Sequence, residues 1–437
     1  MSESVIEDQP SFRGTLLQLL YTLVLRLTLP LVLLRLVLRG LSRPARELRL
    51  GERLARGVPA PPVEVWVHAV SVGEVLAARG LINHLLARTP TCRVLVTTTT
   101  PTGAERLHAL FGERVAHRYT PYDLPGVQAR FLDQARPRLL IVIETEIWPN
   151  MLDACAERGI PSLLVNARLS ARSARGYAQL GRLTAPTLRR FALIAAQGRG
   201  DARRFNALGA EPERVRVTGS VKFDVADDPE RETRSAELRA HWGEGRPLWI
   251  AASTHEGEEA RVLAAHRRVL EHHPEALLVL VPRHPERFDQ VAALVETHGF
   301  RLARRTDPDA DVSEAQVLLG DTMGELAGLI AAVDVAFIGG SLVPVGGHNL
   351  LEAAVAGVPA LVGPHTFNFA EITTRLIGLG GCARVADSEA LAARLTDWLA
   401  APERRAAIGA NGRAFVEANR GALARLIGLV EGYLPKG

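Results

Sequence analysis

The segment from residue 68 to residue 74, HAVSVGE, places a carboxylate at the start of a predicted helix. It leads from an apolar strand into a serine, a glycine and Glu74. The positive end of a helix dipole favours an ionised carboxylate at this position, and such a carboxylate can act as a general base. A helix cap, with Ser71 at the N-cap and Glu74 at the third helical position, explains the same spacing and is favoured on spacing alone.

Two further carboxylates, Glu144 and Glu146, directly follow the apolar run Leu139–Ile143 and precede Trp148. Functional side chains of parallel α/β sheets collect where strands end and helices begin. Two carboxylates beside a tryptophan are unusual for a plain turn, so we regard this turn as a second candidate for catalysis. Solvation of one of the two carboxylates at the surface is the alternative.

The segment from Val333 to Ala356 joins an apolar strand, a glycine-rich loop and an apolar helix. Glycines let the backbone approach a ligand closely, and free N–H groups near a helix N-terminus favour an anion. Glu352, in the first turn of that helix, suits the hydroxyls of a ribose better than a bare phosphate. We therefore expect a sugar nucleotide here, with its phosphate held by the N–H groups of the glycines and of Asn349. An ordinary glycine-rich turn is the alternative.

The composition describes a globular protein with two domains after a leader. Of its 437 residues, 47% are hydrophobic and 23% are charged, as in globular proteins. A chain of this length is too long to fold around one compact core. The net charge of +4 comes with only 5% aromatic residues, which favours a membrane surface or phosphate-bearing substrates over a nucleic acid. Three distant cysteines fit a reducing compartment. We predict a leader at residues 1–45, a first domain at 46–225 and a second domain at 226–437.

Residues Thr15–Leu38 are mostly leucine and valine and predict an N-terminal membrane-anchor helix. Arginines from Arg35 to Arg56 follow, and the positive-inside rule keeps this basic flank and the body after it on the cytoplasmic side. Arg26, near the middle, costs about 2.5–3.5 kcal/mol on insertion scales. The sequence therefore predicts membrane attachment and leaves open whether the helix spans the bilayer. A buried core helix is the alternative, which the arginines disfavour.

Ten apolar runs alternate with helix-length segments and predict one parallel sheet in each domain. The runs are Val63–Val70, Arg93–Thr97, Leu139–Ile143, Ser162–Val165 and Leu193–Ala196, then Leu248–Ala252, Leu277–Val281, Val317–Leu319, Val333–Ile338 and Pro359–Val362. Polar loops follow the strands of the second sheet and indicate a ligand crevice at one edge. Lys222, just before the domain boundary, is expected to face the cleft between the sheets. His284, His348 and His365 lack the spacing of metal ligands, so no metal site is predicted.

These segments together resemble the 3-deoxy-D-manno-octulosonic acid (Kdo) transferases of lipid A assembly. The resemblance runs in family order from the leader to about Phe369. The matching runs are HAVSVGE, TTTPTGAERL, PYDLP, ETEIWPN, NARLSARSARGYA, GSVKFD, STHEGEE, VPRHPERF, GDTMGEL, GGSLVPVGGHNLLEAA and GPHTFNF. The resemblance implies an α/β fold of the GT-B type, with two Rossmann-like domains facing a cleft. It also implies CMP-Kdo as donor and a lipid A precursor, lipid IVA, as acceptor.

The resemblance further implies roles for individual residues. Glu74 is similar to the family's catalytic base, which makes the cap the less favoured interpretation, and Glu144 and Lys222 are similar to its transition-state-supporting residues. The residues similar to the family's CMP contacts are Pro282, Arg283, Met323, Gly324, Glu325, Asn349, Leu350, Leu351 and Glu352. The family often has a proline where this chain has Leu350. The leucine removes a rigid residue from the first helical turn, but Asn349 and Glu352 remain in place.

The expected reaction is inverting transfer of Kdo to the lipid acceptor in lipopolysaccharide inner-core synthesis, at the cytoplasmic face of the inner membrane. CMP is a good leaving group with a single phosphate, so no metal cofactor is expected. One alternative is another GT-B sugar-nucleotide enzyme, such as an epimerase, which would need no lipid. A membrane scaffold that only binds nucleotide is the other alternative, and it leaves Glu74 without a role.

Overall fold

All ten predicted strands form in the computed structural model, which describes residues 12–40, 49–56, 62–88, 92–224, 230–307 and 309–434. The first sheet consists of β1 Val65–His68, β2 Val94–Thr98, β3 Ala116–Tyr119, β4 Leu139–Ile143, β5 Ser162–Ala167, β6 Phe191–Ala196 and β7 Val215–Val217. The second consists of β8 Leu248–Thr254, β9 Leu277–Pro282, β10 Leu302–Arg304, β11 Val317–Leu319, β12 Val335–Ile338, β13 Ala360–Val362 and β14 Cys382–Arg384. The predicted pair of parallel α/β units is confirmed.

Helices connect the strands in both units. Those of the first unit are α1 Phe12–Gly40, α2 Leu50–Arg53, α3 Val72–Arg88, α4 Pro101–Phe111, α5 Pro125–Ala135, α6 Pro149–Ala156, α7 Ala171–Gln179, α8 Gly181–Arg189 and α9 Arg199–Ala207. The second unit has α10 Arg231–Trp242, α11 Glu259–Leu270, α12 Phe288–Thr297, α13 Leu326–Ala331, α14 Leu351–Ala356, α15 Ala370–Gly378, α16 Ser388–Leu399 and α17 Pro402–Asn419. A last helix, α18 Ala422–Glu431, returns to the first unit.

The strand order of each sheet reverses at one strand. The first sheet has the order β3-β2-β1-β4-β5-β6-β7, so that β1 lies between β2 and β4. The second has the order β10-β11-β9-β8-β12-β13-β14, so that β8 lies between β9 and β12. Doubly wound sheets bind ligands beside the carboxyl ends of the strands at such a reversal. The loops after β1 and β4, and after β8 and β12, are therefore where a site is expected.

The central strands form because they are apolar on both faces. Every residue of β4 and of β8 is buried, and Trp66 and Trp249 have no exposed surface. Helices cover both faces of a parallel sheet, and its strands therefore read as continuous apolar runs. This rigid core fixes the positions of the loops at its edge.

The predicted boundary of the second domain is wrong at its C-terminal end. The second compact unit comprises residues 225–419, and residues 420–437 belong to the first unit. The Asp224 carboxylate accepts hydrogen bonds from the N–H groups of Gly421 and Leu423, both at 2.6 Å. Leu426 and Val430 of α18 are buried in the apolar core beside the first sheet. The chain therefore leaves the first unit near Asp224 and completes it from the C-terminus.

The predicted leader helix forms as α1, and three of its polar side chains bind the protein, whereas Arg26 and Thr28 are exposed. Tyr21 donates to Asp123 at 2.9 Å, Thr22 donates to Asn150 at 3.2 Å, and Gln18 donates to both Asn150 and Asp153. The opposite face exposes Leu16, Leu19, Leu20, Leu23, Val24, Leu27 and Leu31. In the described ranges, no helix is long and apolar enough to cross a bilayer. Residues 41–48 of the basic flank lie outside the described residues.

Candidate active site

Glu74 lies in the first turn of α3, directly after β1, and only 8% of it is exposed. The Val70 N–H donates to one carboxylate oxygen at 2.7 Å, and the Ser71 hydroxyl donates to the other at 3.1 Å. The Glu74 N–H donates in turn to the Ser71 hydroxyl at 3.4 Å. The contacts of the alternative cap are therefore present, and the same contacts fix the orientation of the carboxylate at the strand reversal.

The expectation that the helix N-terminus keeps Glu74 ionised is wrong. Burial raises the pKa of Glu74 to about 8. The hydrogen bond from the Val70 N–H opposes this rise, the negative charges of Glu146 and Glu144 add to it, and the hydrogen bond from Ser71 lowers the pKa slightly. Desolvation of a carboxylate outweighs a favourable dipole when the group is nearly inaccessible to water. A carboxyl group with this pKa exchanges protons near neutral pH, which suits a general base.

Glu144 occupies the end of β4, the neighbour of β1, in a strained backbone conformation. Its φ angle of 62° lies in the left-handed region, which costs a non-glycine residue about 1–3 kcal/mol. The chain holds this conformation through the Glu144 N–H, which donates to the Val165 carbonyl at 3.0 Å, and through the Glu144 carbonyl, which accepts from the Arg168 N–H at 3.4 Å. Such strain is concentrated at functional sites.

Lys222 reaches the same sheet edge from the loop after β7. Its ammonium Nζ lies 3.4 Å from Glu144 Oε1, with 27% of the lysine side chain and 20% of the glutamate side chain exposed. A single 3₁₀ turn, Val221–Phe223, carries Lys222, and the Val221 N–H donates to the Asn166 side-chain oxygen at 3.3 Å. Asn166 itself has a positive φ angle of 50°. The positioning role of Asn166 has no sequence signal, because it depends on a partner 55 residues away.

Glu146 completes the group of carboxylates. Burial raises its pKa, a hydrogen bond from the Trp148 indole at 2.8 Å lowers it in part, and the charge of Glu144 raises it again. The predicted turn with two carboxylates and a tryptophan therefore lies close enough to Glu74 to change its proton affinity. The three predicted catalytic residues, Glu74, Glu144 and Lys222, are brought together within the first unit.

The glycine-rich loop of the second unit does not offer free glycine N–H groups, so the predicted phosphate contact through them is wrong. The N–H groups of Gly340, Ser341 and Leu342 donate to the buried carboxylate of Glu258, at 2.7, 3.1 and 2.9 Å. Those of Gly346 and Gly347 donate to the Gly340 carbonyl. Glu258 follows β8, and its partners follow β12 some 80 residues later, so the sequence gives no sign of this contact.

The predicted nucleotide contacts around Glu352 lie together at the reversal of the second sheet. Asn349 donates to the Glu352 carboxylate at 3.3 Å and accepts from the Leu351 N–H at 3.2 Å. Burial raises the pKa of Glu352, while the hydrogen bond from Asn349 and the charge of Arg283 lower it in part. Pro282 ends β9, Arg283 is exposed directly after it, and Leu350 is buried just before α14.

Met323, Gly324 and Glu325 lie in the loop after β11, the strand beside β9. Met323 is 67% exposed, which leaves an apolar side chain available to a ligand. Gly324 has a φ angle of 87° that a larger residue would disfavour. Glu325 accepts from the Thr322 hydroxyl at 2.7 Å and lies 3.4 Å from Arg305. The predicted nucleotide residues therefore follow strands β9, β11 and β12 at one edge of the second sheet.

Among the described residues, no three or more His, Cys, Asp or Glu side chains lie together in a group that could hold a metal ion. The rings of His284 and His348 both lie close to the ring of His255, a residue that the sequence did not mark as a candidate. His255 and His348 share a short contact between their ring nitrogens.

Comparison with known proteins places this geometry in a family. Residues 48–225 match the family model described as 3-deoxy-D-manno-octulosonic-acid transferase (kdotransferase). The chain is 41% identical to the 3-deoxy-D-manno-octulosonic acid transferase of Haemophilus influenzae, with 95% of this chain and 98% of that protein covered. It is 40% identical to the protein of the same name from Bordetella pertussis, with 95% and 99% covered.

Solved structures show a similar fold at low sequence identity. The UDP-GlcNAc 2-epimerase from Neisseria meningitidis, bound to UDP-GlcNAc, matches with a TM-score of 0.55 and 13% identity. The match covers 85% of this chain and 99% of that one. At this identity the likeness concerns the fold alone.

Proposed function

Because the chain belongs to the family of 3-deoxy-D-manno-octulosonic acid (Kdo) transferases and is therefore a Kdo glycosyltransferase, we propose that it transfers Kdo to a lipid A precursor, lipid IVA. Its donor is CMP-Kdo. The observation that carries the proposal is the grouping of Glu74, Glu144 and Lys222 at the strand reversal of the first sheet. A buried carboxyl group with a pKa of about 8 is suited to removing a proton from a sugar hydroxyl.

The proposed step begins at the acceptor. Glu74 takes the proton of the acceptor hydroxyl as the oxygen attacks the anomeric carbon of Kdo. The bond from that carbon to the phosphate oxygen breaks, CMP leaves with the electron pair, and the configuration inverts. Glu144 holds Lys222 at 3.4 Å, and the ammonium offsets negative charge that develops on the departing nucleotide.

The nucleotide contacts proposed for the second unit are Pro282, Arg283, Met323, Gly324, Glu325, Asn349, Leu350, Leu351 and Glu352. Their place at the carboxyl ends of β9, β11 and β12 supports this assignment. Arg283 supplies positive charge, and Glu352 supplies an acceptor for ribose hydroxyls.

We further propose that α1 attaches the protein to the cytoplasmic face of the inner membrane through its exposed leucines. Leu19, Leu23 and Leu27 lie one turn apart on the outward face and are 51–68% exposed. The inward face of α1 is bound through Gln18, Tyr21 and Thr22. An apolar face of this kind, on a helix bound to its own domain, fits a helix that lies at the lipid interface near a lipid acceptor.

The mass of the lipid product tests the proposed function. We expect lipid IVA incubated with CMP-Kdo and the full-length protein to gain the mass of at least one Kdo residue, with CMP released only when the lipid is present. Transfer should persist in excess EDTA, because a single phosphate leaves readily without a metal. Turnover of CMP-Kdo without lipid would contradict transfer. Loss of transfer in EDTA, restored by magnesium, would show a metal requirement.

A further inference from the structure

His255 and His348 meet where the strand order of the second sheet reverses. His255 follows β8, His348 lies in the loop after β12, and these strands are neighbours. Their Nε2 atoms are 2.7 Å apart, and their ring planes are within 5° of parallel. At this distance one imidazole donates an N–H to the lone pair of the other, so a neutral pair shares one proton between the two nitrogens.

The surroundings of the pair supply positive charge and hydrogen-bond donors. Arg283 and His284 follow β9, the other neighbour of β8, and the His284 ring lies 5.3 Å from the His255 ring. Among the nearby carboxylates, Glu286 lies 3.8 Å from the His284 ring, whereas Glu258 and Glu259 are already bound. Glu258 accepts backbone N–H groups, including that of His255 at 3.2 Å, and Glu259 pairs with Arg287 at 2.6 Å.

The resting pair is neutral at physiological pH. Burial lowers the pKa of His348 to about 4, and the charges of His255, Arg283 and His284 lower it as well. Burial also lowers the pKa of His255, as do the charges of His284, Arg283 and Arg287, against the opposing charge of Glu259. An anion bound at the pair would offset this repulsion and raise both pKa values.

The histidine pair lies at the strand reversal of the second sheet, where a phosphate is expected to bind. Doubly wound sheets bind phosphates at the strand reversal, commonly through the N–H groups of a glycine-rich loop. Here Glu258 occupies the N–H groups of Gly340, Ser341 and Leu342, and side chains can supply donors in their place. Gly340 keeps the site uncovered, since a Cβ at this position would lie 3.1 Å from the His348 ring.

We propose that the His255–His348 pair binds the phosphate of the donor nucleotide, and that the pair takes up one proton from solvent as the phosphate binds. This inference rests on the proposed function, which makes a cytidine nucleotide the donor. The protonated pair then carries one positive charge and, outside the shared Nε2–Nε2 bond, one N–H on each ring, and the phosphate oxygens accept from the pair. The carboxylate of Kdo is a second anion with similar chemistry, and the test separates the two.

Titration calorimetry of the full-length protein with CMP, in two buffers of different ionisation enthalpy, measures the proton uptake. At pH 8 free CMP is fully ionised, because the second pKa of a phosphate is about 6. We expect uptake approaching one proton per CMP bound by the natural protein. In the His348→Gln variant we expect that uptake to vanish and CMP affinity to fall about 10- to 100-fold, as for loss of a charged hydrogen bond.

Matched measurements decide each outcome. His272→Gln, at an exposed histidine just after α11, should behave as the natural protein. His255→Gln repeats the test if His348→Gln does not fold. Cytidine should bind without proton uptake.

CMP binding without proton uptake, or uptake that persists in the folded variants, would overturn the inference while leaving the proposed function intact. Proton uptake with free Kdo but not with CMP would overturn the phosphate assignment, and absence of both CMP binding and Kdo transfer would overturn the proposed function as well.

Discussion

Glu74 shows how one residue acquires a proton affinity that its neighbours in the sequence do not predict. The local motif indicates a capped and ionised carboxylate. The fold buries that carboxylate and brings Glu144 and Glu146 near it, from about 70 residues away. The position of the carboxylate could be predicted from the pattern of strand and helix, whereas its raised pKa depends on burial and on carboxylates that only the fold brings near it.

The first prediction concerns the pH dependence of transfer. Glu74 can accept a proton only when ionised, so the rate should rise with pH and level off above about 8. Glu146→Gln removes a negative charge that raises this pKa, so the rising limb should move to lower pH. The pH–rate profiles of the two proteins measure the shift, and Glu113→Gln, at an exposed turn, is the control. An unchanged profile for Glu146→Gln would show that the carboxylates are not coupled.

The glycine-rich loop gives the second lesson at the residue scale. The strand, the loop and Glu352 in the first helical turn were predicted correctly from the sequence. The group that accepts hydrogen bonds from the glycine N–H groups was not predicted correctly, because a carboxylate buried within the protein can accept them as well as a phosphate would. A motif therefore predicts a backbone shape more securely than it predicts a ligand.

At the scale of elements, the strands missed by the sequence analysis are the four at the sheet edges. They are β3, β7, β10 and β14, each of three or four residues. An edge strand is partly exposed, as Arg216 and Val217 are in β7, and so it lacks the apolar run that marks a central strand. Missing these strands did not change the predicted location of the site, because the strand order reverses among the central strands.

The second prediction concerns α1 and belongs to this scale. Replacing Leu19, Leu23 and Leu27 with glutamine should release the protein from anionic lipid vesicles. Burying a leucine contributes about 1.5–3 kcal/mol, so the triple variant should lose at least about 100-fold in vesicle partitioning. Sedimentation with vesicles measures this loss.

The matched control for α1 replaces Leu76 and Leu379, which are also exposed but lie on α3 and just after α15. That variant should sediment as the natural protein does. Both variants should keep their thermal stability, since the replaced side chains face outward. Full vesicle binding by the triple variant would show that another surface attaches the protein.

At the scale of the whole molecule, the chain crosses between its units twice. The predicted boundary before the second unit falls within one residue of the observed division at 224/225, but the return of residues 420–437 to the first unit was not predicted. Helix α18 follows α17 after only two residues and has no feature of its own that indicates a different unit. Its destination is set by its buried contacts and by Asp224.

The third prediction tests this return. Leu426→Ala should lower the free energy of unfolding of the first unit by about 2–5 kcal/mol, as expected for a buried leucine, and leave the second unit unaffected. Glu431→Ala, which removes only a surface contact with His84, should cost about 1 kcal/mol or less. Thermal unfolding of both variants measures the difference. Equal midpoints for Leu426→Ala and the natural protein would contradict the assignment of α18.

The most direct test of the central claim is Kdo transfer by Glu74→Gln, measured alongside its affinity for CMP. We predict that transfer falls about 10²–10⁴-fold, the usual contribution of a general base, and that CMP affinity stays unchanged because the proposed nucleotide contacts all lie in the second unit. Glu105→Gln, at an exposed position on α4, should transfer Kdo normally. Near-normal transfer by a folded Glu74→Gln protein would contradict the account and reduce Glu74 to a helix cap.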